Sequence, residues 1–384
     1  MRREKIDMWV IICREYNEDP CFSTLVPAKW YSARRTTMLV FHDRGKAGLE
    51  RLYVARYSVG DLYKGFWSPD KTDQWACLAQ LIAERNPKKI GINTSDTFAF
   101  GDGLSASLKD RLVKAIGPKY ARRLCSAERV AVGWLEQRTP EELDVYHHIV
   151  AIAHDIIADA FSNKVITPGV TTTREVEWWI REKIGSLGMQ AWFHPDVDYQ
   201  RPGSPKGSYS NFGVIERGDL LHCDVGITYL RLNTDTQEHA YVLKAGEDDV
   251  PPGLKDALKQ GNRLQDILTG EFTYGRSGNE ILLASLKKAK AAGLDAQVYT
   301  HPLGFHGHAA GPTIGLWDRQ GGVPGQGDYP LYNNTCYAIE LNIKAAIPEW
   351  QGKVVRIGLE QDACYSKQGV IYLNGRQTTF HIVE

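Results

Sequence analysis

Two aspartates stand eleven residues apart in this chain, Asp224 in HCDVG and Asp235 in NTDTQ. They are followed by a histidine-rich segment, THPLGFHGHAAGPTIG, and by two isolated glutamates, Glu340 and Glu360. Carboxylates and imidazole together suit divalent cations such as Mn, Co or Zn. Four carboxylates carry more negative charge than one ion needs, and about as much as two ions with bridging carboxylates need. These residues therefore predict a dinuclear metal site with hydrolytic chemistry.

The aspartate pair is predicted to converge across a hairpin. In the first strand His222, Asp224 and Gly226 face one way, because side chains alternate along a strand. Asp235 opens the next strand after a turn at about residues 230–233. Strand-end aspartates often only terminate strands, so the spacing alone leaves that reading open. His222 is predicted either to support the site or to be a partly buried neighbour of it.

The two glutamates strengthen the metal hypothesis. Glu340 is a lone acid inside CYAIELNI, which is otherwise typical of a buried strand. A buried carboxylate without a partner costs several kcal/mol, so it needs a cation, a metal or a proton. Glu360 in VVRIGLEQD is similar, but Arg356 lies on the same strand face, and an ion pair between the two is the alternative.

Composition limits the class of protein. Lys plus Arg and Asp plus Glu number 46 each, so no charge excess favours nucleic acid or a membrane surface. No apolar run approaches the roughly 20 residues that span a bilayer, and MRREKID lacks the apolar core of a signal peptide. Seven cysteines without CxxC pairing predict neither a disulfide framework nor a thiolate zinc site. We expect a cytoplasmic protein, or a periplasmic or secreted one if an upstream signal peptide was removed.

The elements that must position these residues follow from the hydrophobic patterns. Residues 1–132 alternate strand-like and helix-like segments and predict an α/β domain, and residues 133–384 predict a second, catalytic domain. Capping boxes at Thr139–Glu142 and Thr172–Glu175 predict two helices, one running to about Phe161 and one to Ile184. Strands are predicted at 219–230, 238–245, 335–345 and 353–365, with helices over roughly 251–292.

The ordered motifs resemble the pita-bread metallopeptidases of family M24, which include Xaa-Pro aminopeptidase (aminopeptidase P), prolidase, methionine aminopeptidase and the metal-free creatinase. GDLLHCDVG is similar to the family's GDLxxxDxG, NTDTQ to SDxTR, GHAAG to GHGxG, AIELN to the strand with the first glutamate, and RIGLEQD to RIED. The resemblance covers roughly residues 131–384. It implies an α+β pita-bread catalytic domain of the creatinase/aminopeptidase type, preceded by an α/β creatinase-type N-terminal domain.

By this resemblance two divalent metal ions (Mn, Co or Zn) are held by five ligands, which are Asp224, Asp235, His308, Glu340 and Glu360. The implied mechanism is attack by a metal-bridging hydroxide on a polarised carbonyl carbon, with Glu340 as the proton acceptor. Whether His306 or His308 is the ligand stays open, and Gly311 three residues after His308 favours the latter.

Two histidines of the family pattern are absent from their expected positions. The position seventeen residues before Asp224 is Gly207, between Lys206 and Ser208, and the position seven residues after His308 is Gly315. His301 and His306, and more distantly His194, are the candidates to supply catalytic imidazoles, and a structural role is the alternative for each.

Substrate contacts are predicted in the loop GLWDRQGGVPGQGDYPLY, from Trp317, Asp318 and Tyr329, since long Gly- and Pro-rich loops often border active sites. The predicted function is an exopeptidase that removes an N-terminal residue or cleaves an Xaa-Pro bond. The alternatives are a non-peptide amide or amidino hydrolase or lyase, and a catalytically silent metal-binding protein. The expected partners are a small peptide or amide substrate and a second copy of the chain, with no nucleic acid and no membrane.

Overall fold

The computed structural model describes residues 1–57, 59–203 and 209–384. The described chain forms two compact units, Met1–Leu135 and Glu136–Glu384. All the residues predicted to carry chemistry belong to the second unit. None of the helices in the described ranges combines the length and the apolar character that a membrane crossing needs.

The first unit is a six-stranded mixed sheet with helices packed on it. Its strands are β1 Met8–Arg14, β2 Thr36–Asp43, β3 Leu49–Val54, β4 Lys64–Gly65, β5 Ile90–Ile92 and β6 Leu124–Ser126, in the order β4-β3-β2-β1-β5-β6. Its helices are α1 Phe22–Leu25, α2 Gln74–Arg85, α3 Ala106–Ala121 and α4 Glu128–Glu136, of which the last reaches the first residue of the second unit. The apolar run of β1 is buried on both faces, as expected of a central strand.

The second unit contains four long helices and fourteen strands in its described part. The helices are α5 Pro140–Ala160, α6 Thr173–Ser186, α7 Pro252–Thr269 and α8 Gly278–Ala291. The strands are β7 Gln190–Ala191, β8 Asp196–Gln200, β9 Leu220–Val225, β10 Ile227–Tyr229, β11 Leu232–Asn233, β12 Thr236–Val242, β13 Asp295–Val298, β14 His301–Leu303, β15 Thr335–Ala338, β16 Leu341–Ile347, β17 Lys353–Leu359, β18 Asp362–Ser366, β19 Gly369–Tyr372 and β20 His381–Val383.

These strands form four small sheets, ordered β11-β10-β7, β20-β12-β9-β8, β13-β16-β17 and β14-β15-β18-β19. The chain passes three times between the last two sheets, from β13 to β14, from β15 to β16 and from β17 to β18. The second and third passages lie within segments that the sequence predicted as single strands, 335–345 and 353–365. The prediction of strand character is confirmed, and the breaks inside those segments are what the sequence pattern did not reveal.

The predicted helix starts of the second unit are confirmed. Thr139 and Glu142 form a reciprocal capping box at the start of α5, and Thr172 and Glu175 form another at α6. Apolar faces of α7 and α8 pack with the β13-β16-β17 sheet into a core that includes Leu258, Leu282, Ile343 and Ile357. Ile339, Leu341 and Leu359, which adjoin Glu340 and Glu360 in the chain, belong to this core, so it fixes the backbone next to both glutamates.

Candidate metal centre

The first two carboxylates come from one antiparallel strand pair. Asp224 lies in β9 and Asp235 immediately precedes β12, which pairs with β9 so that Gln237 stands opposite Asp224. The short β10–β11 hairpin between these strands returns Asp235 to the end of β9 that carries Asp224. The convergence predicted from the eleven-residue spacing is present in the fold.

The two glutamates lie where strands break. Glu340 sits between β15 and β16, and Glu360 sits between β17 and β18. At the second break Glu360 pairs with Gln237 of β12, whose N–H donates to the Glu360 carbonyl at 3.0 Å. The carboxylates of both glutamates meet at the side-chain amide of Gln237, which also contacts Asp224.

Side chains of six residues form three overlapping groups of possible metal ligands. In each group the ligand atoms lie within 4.8 Å of one another, and the groups are Asp224–Asp235–Glu360, His301–Glu340–Glu360 and Asp235–His301–His308. Asp235, His301 and Glu360 each belong to two groups, and the two carboxylates among them are of the kind that can bridge two cations. All five ligands suggested by the sequence thus meet in one place, and His301 joins them.

His301 takes a more central position than the sequence suggested. Its Nε2 lies 3.3 Å from Glu360 Oε1 and 3.5 Å from Asp235 Oδ2. Its Nδ1 lies 3.0 Å from the carbonyl oxygen of Pro302, which can only accept a hydrogen bond. The proton is therefore held on Nδ1, and in the neutral ring the lone pair of Nε2 faces the carboxylates.

Burial leaves several of these atoms short of partners. Asp235 and Glu360 are 3% and 1% exposed, and His301 is 4% exposed. Within the described chain, Asp224 Oδ1, Asp235 Oδ1, Glu360 Oε1 and His301 Nε2 are buried and make no hydrogen bond of ordinary geometry. Unpaired buried charge is strongly unfavourable. Divalent cations would supply the positive charge that compensates these carboxylates. The donor set therefore fits hard or borderline divalent metal ions.

Without cations the cluster favours protonated carboxyls. Burial raises the pKa of Asp224 to about 6, against the opposing effect of His222. Burial also raises the pKa of Glu340 to about 7, although His301 works in the other direction. Burial and neighbouring carboxylates raise the pKa values of Asp235 and Glu360 well above their usual range.

The pKa values of His301 and His308 shift in opposite directions. Burial opposes the protonation of His301, but Glu360 and Glu340 outweigh it and raise its pKa. Partial burial and the nearby His301 ring, whose centroid is 4.5 Å away, lower the pKa of His308 to about 4. A neutral His308 is in the form that binds a metal ion.

Sequence reasoning missed two polar residues that touch the cluster. Gln237 donates its side-chain amide to three of the carboxylates. Asp362 is 1% exposed and accepts the backbone N–H of Asp235 at 3.1 Å. No local pattern marks these two residues, because the Asp235–Asp362 and Gln237–Glu360 contacts each join segments more than a hundred residues apart.

The indole of Trp192 forms an aromatic wall next to His308. The Trp192 ring lies 5.4 Å from the His308 ring and its Nε1–H donates to the Thr234 carbonyl at 2.8 Å. Two glycines make room for it, because a Cβ at Gly226 or Gly307 would approach the Trp192 ring system within 2.1 Å or 2.2 Å. The GHAAG motif therefore includes a glycine required by packing as well as a histidine.

Other predicted residues lie elsewhere. Trp317 and Asp318 are exposed, and among the residues described neither belongs to a ligand group. Tyr329 is 3% exposed and its hydroxyl donates to Glu136 at 3.1 Å. His306 is half-buried and belongs to none of the three ligand groups, and the ring of the exposed His194 lies 5.2 Å from Trp178.

Of the two positions at which the family pattern has a histidine, the structure describes Gly315. Lys206, Gly207 and Ser208 lie outside the described residues. Gly315 has φ of +77°, and a Cβ there would approach the Val298 carbonyl oxygen within 2.3 Å, so no histidine fits that position without rearrangement. The alternative ion pair is not formed in the described chain, where Arg356 lies over the Tyr209 ring, 5.9 Å from its centroid.

Comparison with known proteins identifies the class. The profile of metallopeptidase family M24 matches residues 144–363, more than half of the chain, and the protein belongs to this family. No curated protein matches the sequence significantly. The fold is similar to that of X-Pro aminopeptidase from Thermotoga maritima, with 18% identity, a TM-score of 0.68 and full coverage of both chains.

Two further solved structures share the fold over nearly their whole length. Xaa-Pro dipeptidase from Bacillus anthracis has 15% identity and a TM-score of 0.67, with 99% of this chain and 96% of that chain covered. The prolidase from Pyrococcus horikoshii has 16% identity and a TM-score of 0.61, with 98% and 96% covered. The protein is thus a metallopeptidase-family member with a pita-bread catalytic domain and a creatinase-type N-terminal domain, as the sequence predicted.

Proposed function

We propose that this protein is a dinuclear-metal exopeptidase that releases an N-terminal residue, with Xaa-Pro peptides as its preferred substrates. The observation that carries the proposal is the buried cluster of four carboxylates, in which Asp235 and Glu360 each belong to two ligand groups. The sharing fits two cations better than one. The names of the structural neighbours support the Xaa-Pro preference, since they include X-Pro aminopeptidase and Xaa-Pro dipeptidase.

The ligands we propose are Asp224, Asp235, His308, Glu340 and Glu360, together with Nε2 of His301. When bound, two divalent ions would polarise the scissile carbonyl and supply a nucleophilic water at neutral pH. We propose Mn, Co or Zn, because mixed carboxylate and imidazole donors suit these metals.

Glu340 is proposed as the group that accepts a proton from the attacking water. Its Oε1 accepts the Gln237 amide at 3.0 Å, which leaves Oε2 to take the proton. A pKa of about 7 in the absence of cations shows how strongly this burial favours the protonated form. Bound cations would lower that value and favour the ionised carboxylate, which is the form that accepts a proton.

The aromatic wall is proposed to border the substrate. Trp192 stands beside His308 and its edge is fixed by the hydrogen bond to Thr234. A rigid apolar surface next to the cations excludes water and receives an apolar side chain or a proline ring. Trp317, Asp318 and Tyr329 remain proposals for contacts further along a peptide, and His306 for a second imidazole. We also propose a homodimer, as the family resemblance implies.

A substrate panel tests the proposal. Purified protein loaded with Mn, Co or Zn is assayed on Xaa-Pro dipeptides, longer Xaa-Pro peptides and matched Xaa-Ala peptides. We expect turnover of Xaa-Pro substrates, with at least tenfold lower activity on the Xaa-Ala set. Asp235→Asn should abolish this activity, and Asp295→Asn, which changes an exposed aspartate of β13, should not.

The outcome of the same panel separates the alternatives. Hydrolysis of non-peptide amides or amidines without peptide turnover would replace the peptidase proposal. Absence of turnover from protein that binds two ions would favour a silent metal-binding protein.

A further inference from the structure

Gln237 occupies the centre of the carboxylate cluster without being one of the proposed ligands. Its Nε2 lies 2.8 Å from Glu360 Oε2, 3.0 Å from Glu340 Oε1 and 3.3 Å from Asp224 Oδ2. The residue is 3% exposed, and it follows Asp235 by two positions on the same strand. One neutral amide thus joins carboxylates from three different segments of the chain.

The contacts are selective within each carboxylate. Gln237 binds Oδ2 of Asp224 and Oε2 of Glu360. The opposite oxygens, Asp224 Oδ1 and Glu360 Oε1, are the ones that make no hydrogen bond within the described residues. The amide therefore fixes one oxygen of each carboxylate and leaves the other to face a cation.

His222 and Asp198 fix the orientation of this amide. Carboxylates only accept hydrogen bonds, so the amide presents its N–H groups to them and its oxygen to His222, whose Nε2 lies 3.0 Å away. His222 is held in turn by Asp198, with Nδ1 and Oδ2 2.9 Å apart. His222 and Asp198 are 6% and 4% exposed, so water does not compete for these contacts.

Close packing supports the same arrangement. A Cβ at Gly358 would approach His222 Nε2 within 3.1 Å and Gln237 Oε1 within 3.2 Å. Those distances are tighter than ordinary contacts, so a larger residue at 358 would push the two side chains aside. The absence of a side chain at Gly358 lets the imidazole and the amide meet above the strand.

We propose that Gln237 is a positioning residue for the metal centre, which orients the carboxylates of Asp224, Glu340 and Glu360, and that the Asp198–His222 pair fixes its amide. The inference rests on the proposed metal-dependent function and deepens it. Groups that orient ligating carboxylates typically contribute about 10- to 100-fold to metal affinity. We expect an effect of that size from removal of the amide.

The test is Gln237→Met, which keeps the length of the side chain and removes the donor. Affinity for Mn and Co is measured by titration calorimetry, and the coordination geometry is followed by the visible absorption of Co-loaded protein. We expect a 10- to 100-fold loss of affinity for at least one of the two ions and a changed Co spectrum. Gln237→Asn, whose shorter amide cannot reach all three carboxylates, should act in the same direction if the Met variant folds poorly.

A matched control separates positioning from general damage to the core. Gln265 is a glutamine of α7 with no exposed surface, and its Oε1 accepts a hydrogen bond from Asn262. Gln265→Met should leave metal affinity and the Co spectrum unchanged, whatever it costs in thermal stability. His222→Phe should reproduce part of the Gln237→Met effect, and the double variant should lose no more affinity than Gln237→Met alone.

The outcomes distinguish this inference from the function on which it rests. The positioning role is refuted if wild-type protein binds two ions and both Gln237→Met and Gln237→Asn keep its affinities and Co spectrum. That result would leave the proposed metal centre unaffected. Wild-type protein that binds no divalent ion would overturn both. An equal loss of affinity in Gln265→Met would show that the effect is one of folding and would also refute the inference.

Discussion

At the scale of single residues, the sequence motif and the geometry favour different histidines as metal ligands. The GHAAG motif favours His308 as the ligand, whereas Nε2 of His301 lies within 3.5 Å of two carboxylates. His306 belongs to none of the ligand groups. We predict that His301→Ala and His308→Ala each lower metal content or affinity at least tenfold, and that His306→Ala retains both ions. Metal analysis after gel filtration measures this, and full loss in His306→Ala alone would reverse the assignment.

Protons and cations should compete for the same carboxyls. The pKa of Asp224 is about 6 and that of Glu340 about 7 in the metal-free protein, so acidification through this range protonates two proposed ligands. We predict that affinity for Mn falls steeply between pH 7.5 and roughly pH 5.5, with proton uptake when metal is released. Titration at several pH values in buffers of different ionisation enthalpy measures both. An affinity independent of pH in this range would contradict the prediction.

The same shifts predict the stability of the metal-free protein. A carboxyl whose pKa is raised on folding stabilises the fold at low pH, and this stability is lost as pH rises through the folded value. For Glu340 the loss therefore falls between its ordinary pKa of 4.5 and about 7. Glu340→Gln should remove the loss, so we predict that it stabilises metal-free protein at pH 8 by up to about 3 kcal/mol.

Chemical denaturation of chelator-treated protein measures this change. At pH 4, where the wild-type carboxyl is protonated, the Glu340→Gln variant and wild type should be nearly equal in stability. If Glu340→Gln is instead less stable than wild type at pH 8, the predicted direction of the effect is wrong.

At the scale of elements, the site depends on how strands end. The sequence shows Glu340 and Glu360 inside two long strand-like segments, and it predicted those segments correctly as strands. It did not show that each segment breaks at the glutamate and continues in another sheet. Buried apolar residues flank Glu340 on both sides, so hydrophobic pattern alone cannot mark the change of partner there. After Glu360 the buried residues Gln361 and Asp362 are polar, and their burial is not visible in the sequence pattern.

Glycine packing around Trp192 is the second element-scale feature. A Cβ at Gly307 would overlap the indole at 2.2 Å, and displacement of the ring would disturb the adjacent His308. We predict that Gly307→Ala destabilises the protein by about 1–3 kcal/mol and weakens metal binding. Gly321→Ala, at a site with nothing within 4 Å of the added Cβ, should alter neither. Thermal melts and metal titrations compare the two, and an unaffected Gly307→Ala variant would refute the packing role of this glycine.

At the scale of the whole molecule, the sequence predicted the fold better than the fine structure of the site. The family could be predicted from the capped helices α5 and α6 and from the order of the acidic residues. Capping boxes and strand periodicity are local patterns, so a short segment of sequence is enough to show them. The positions of Gln237 and Asp362 depend on contacts between segments more than a hundred residues apart, such as Gln237 with Glu360. Such pairs leave no periodic signal in one sequence. The boundary at residues 132–133 and the homodimer stay predictions.

The number of metal ions bound per chain tests the central claim most directly. Native mass spectrometry of protein reconstituted with Mn or Co, after removal of loosely bound ions, reads this number without reference to any substrate. We predict two ions per wild-type chain, none or one in Asp235→Asn, and two in the exposed-site control Asp295→Asn. A wild-type chain that binds a single ion would contradict the dinuclear centre, and one that binds none would contradict the metal site altogether.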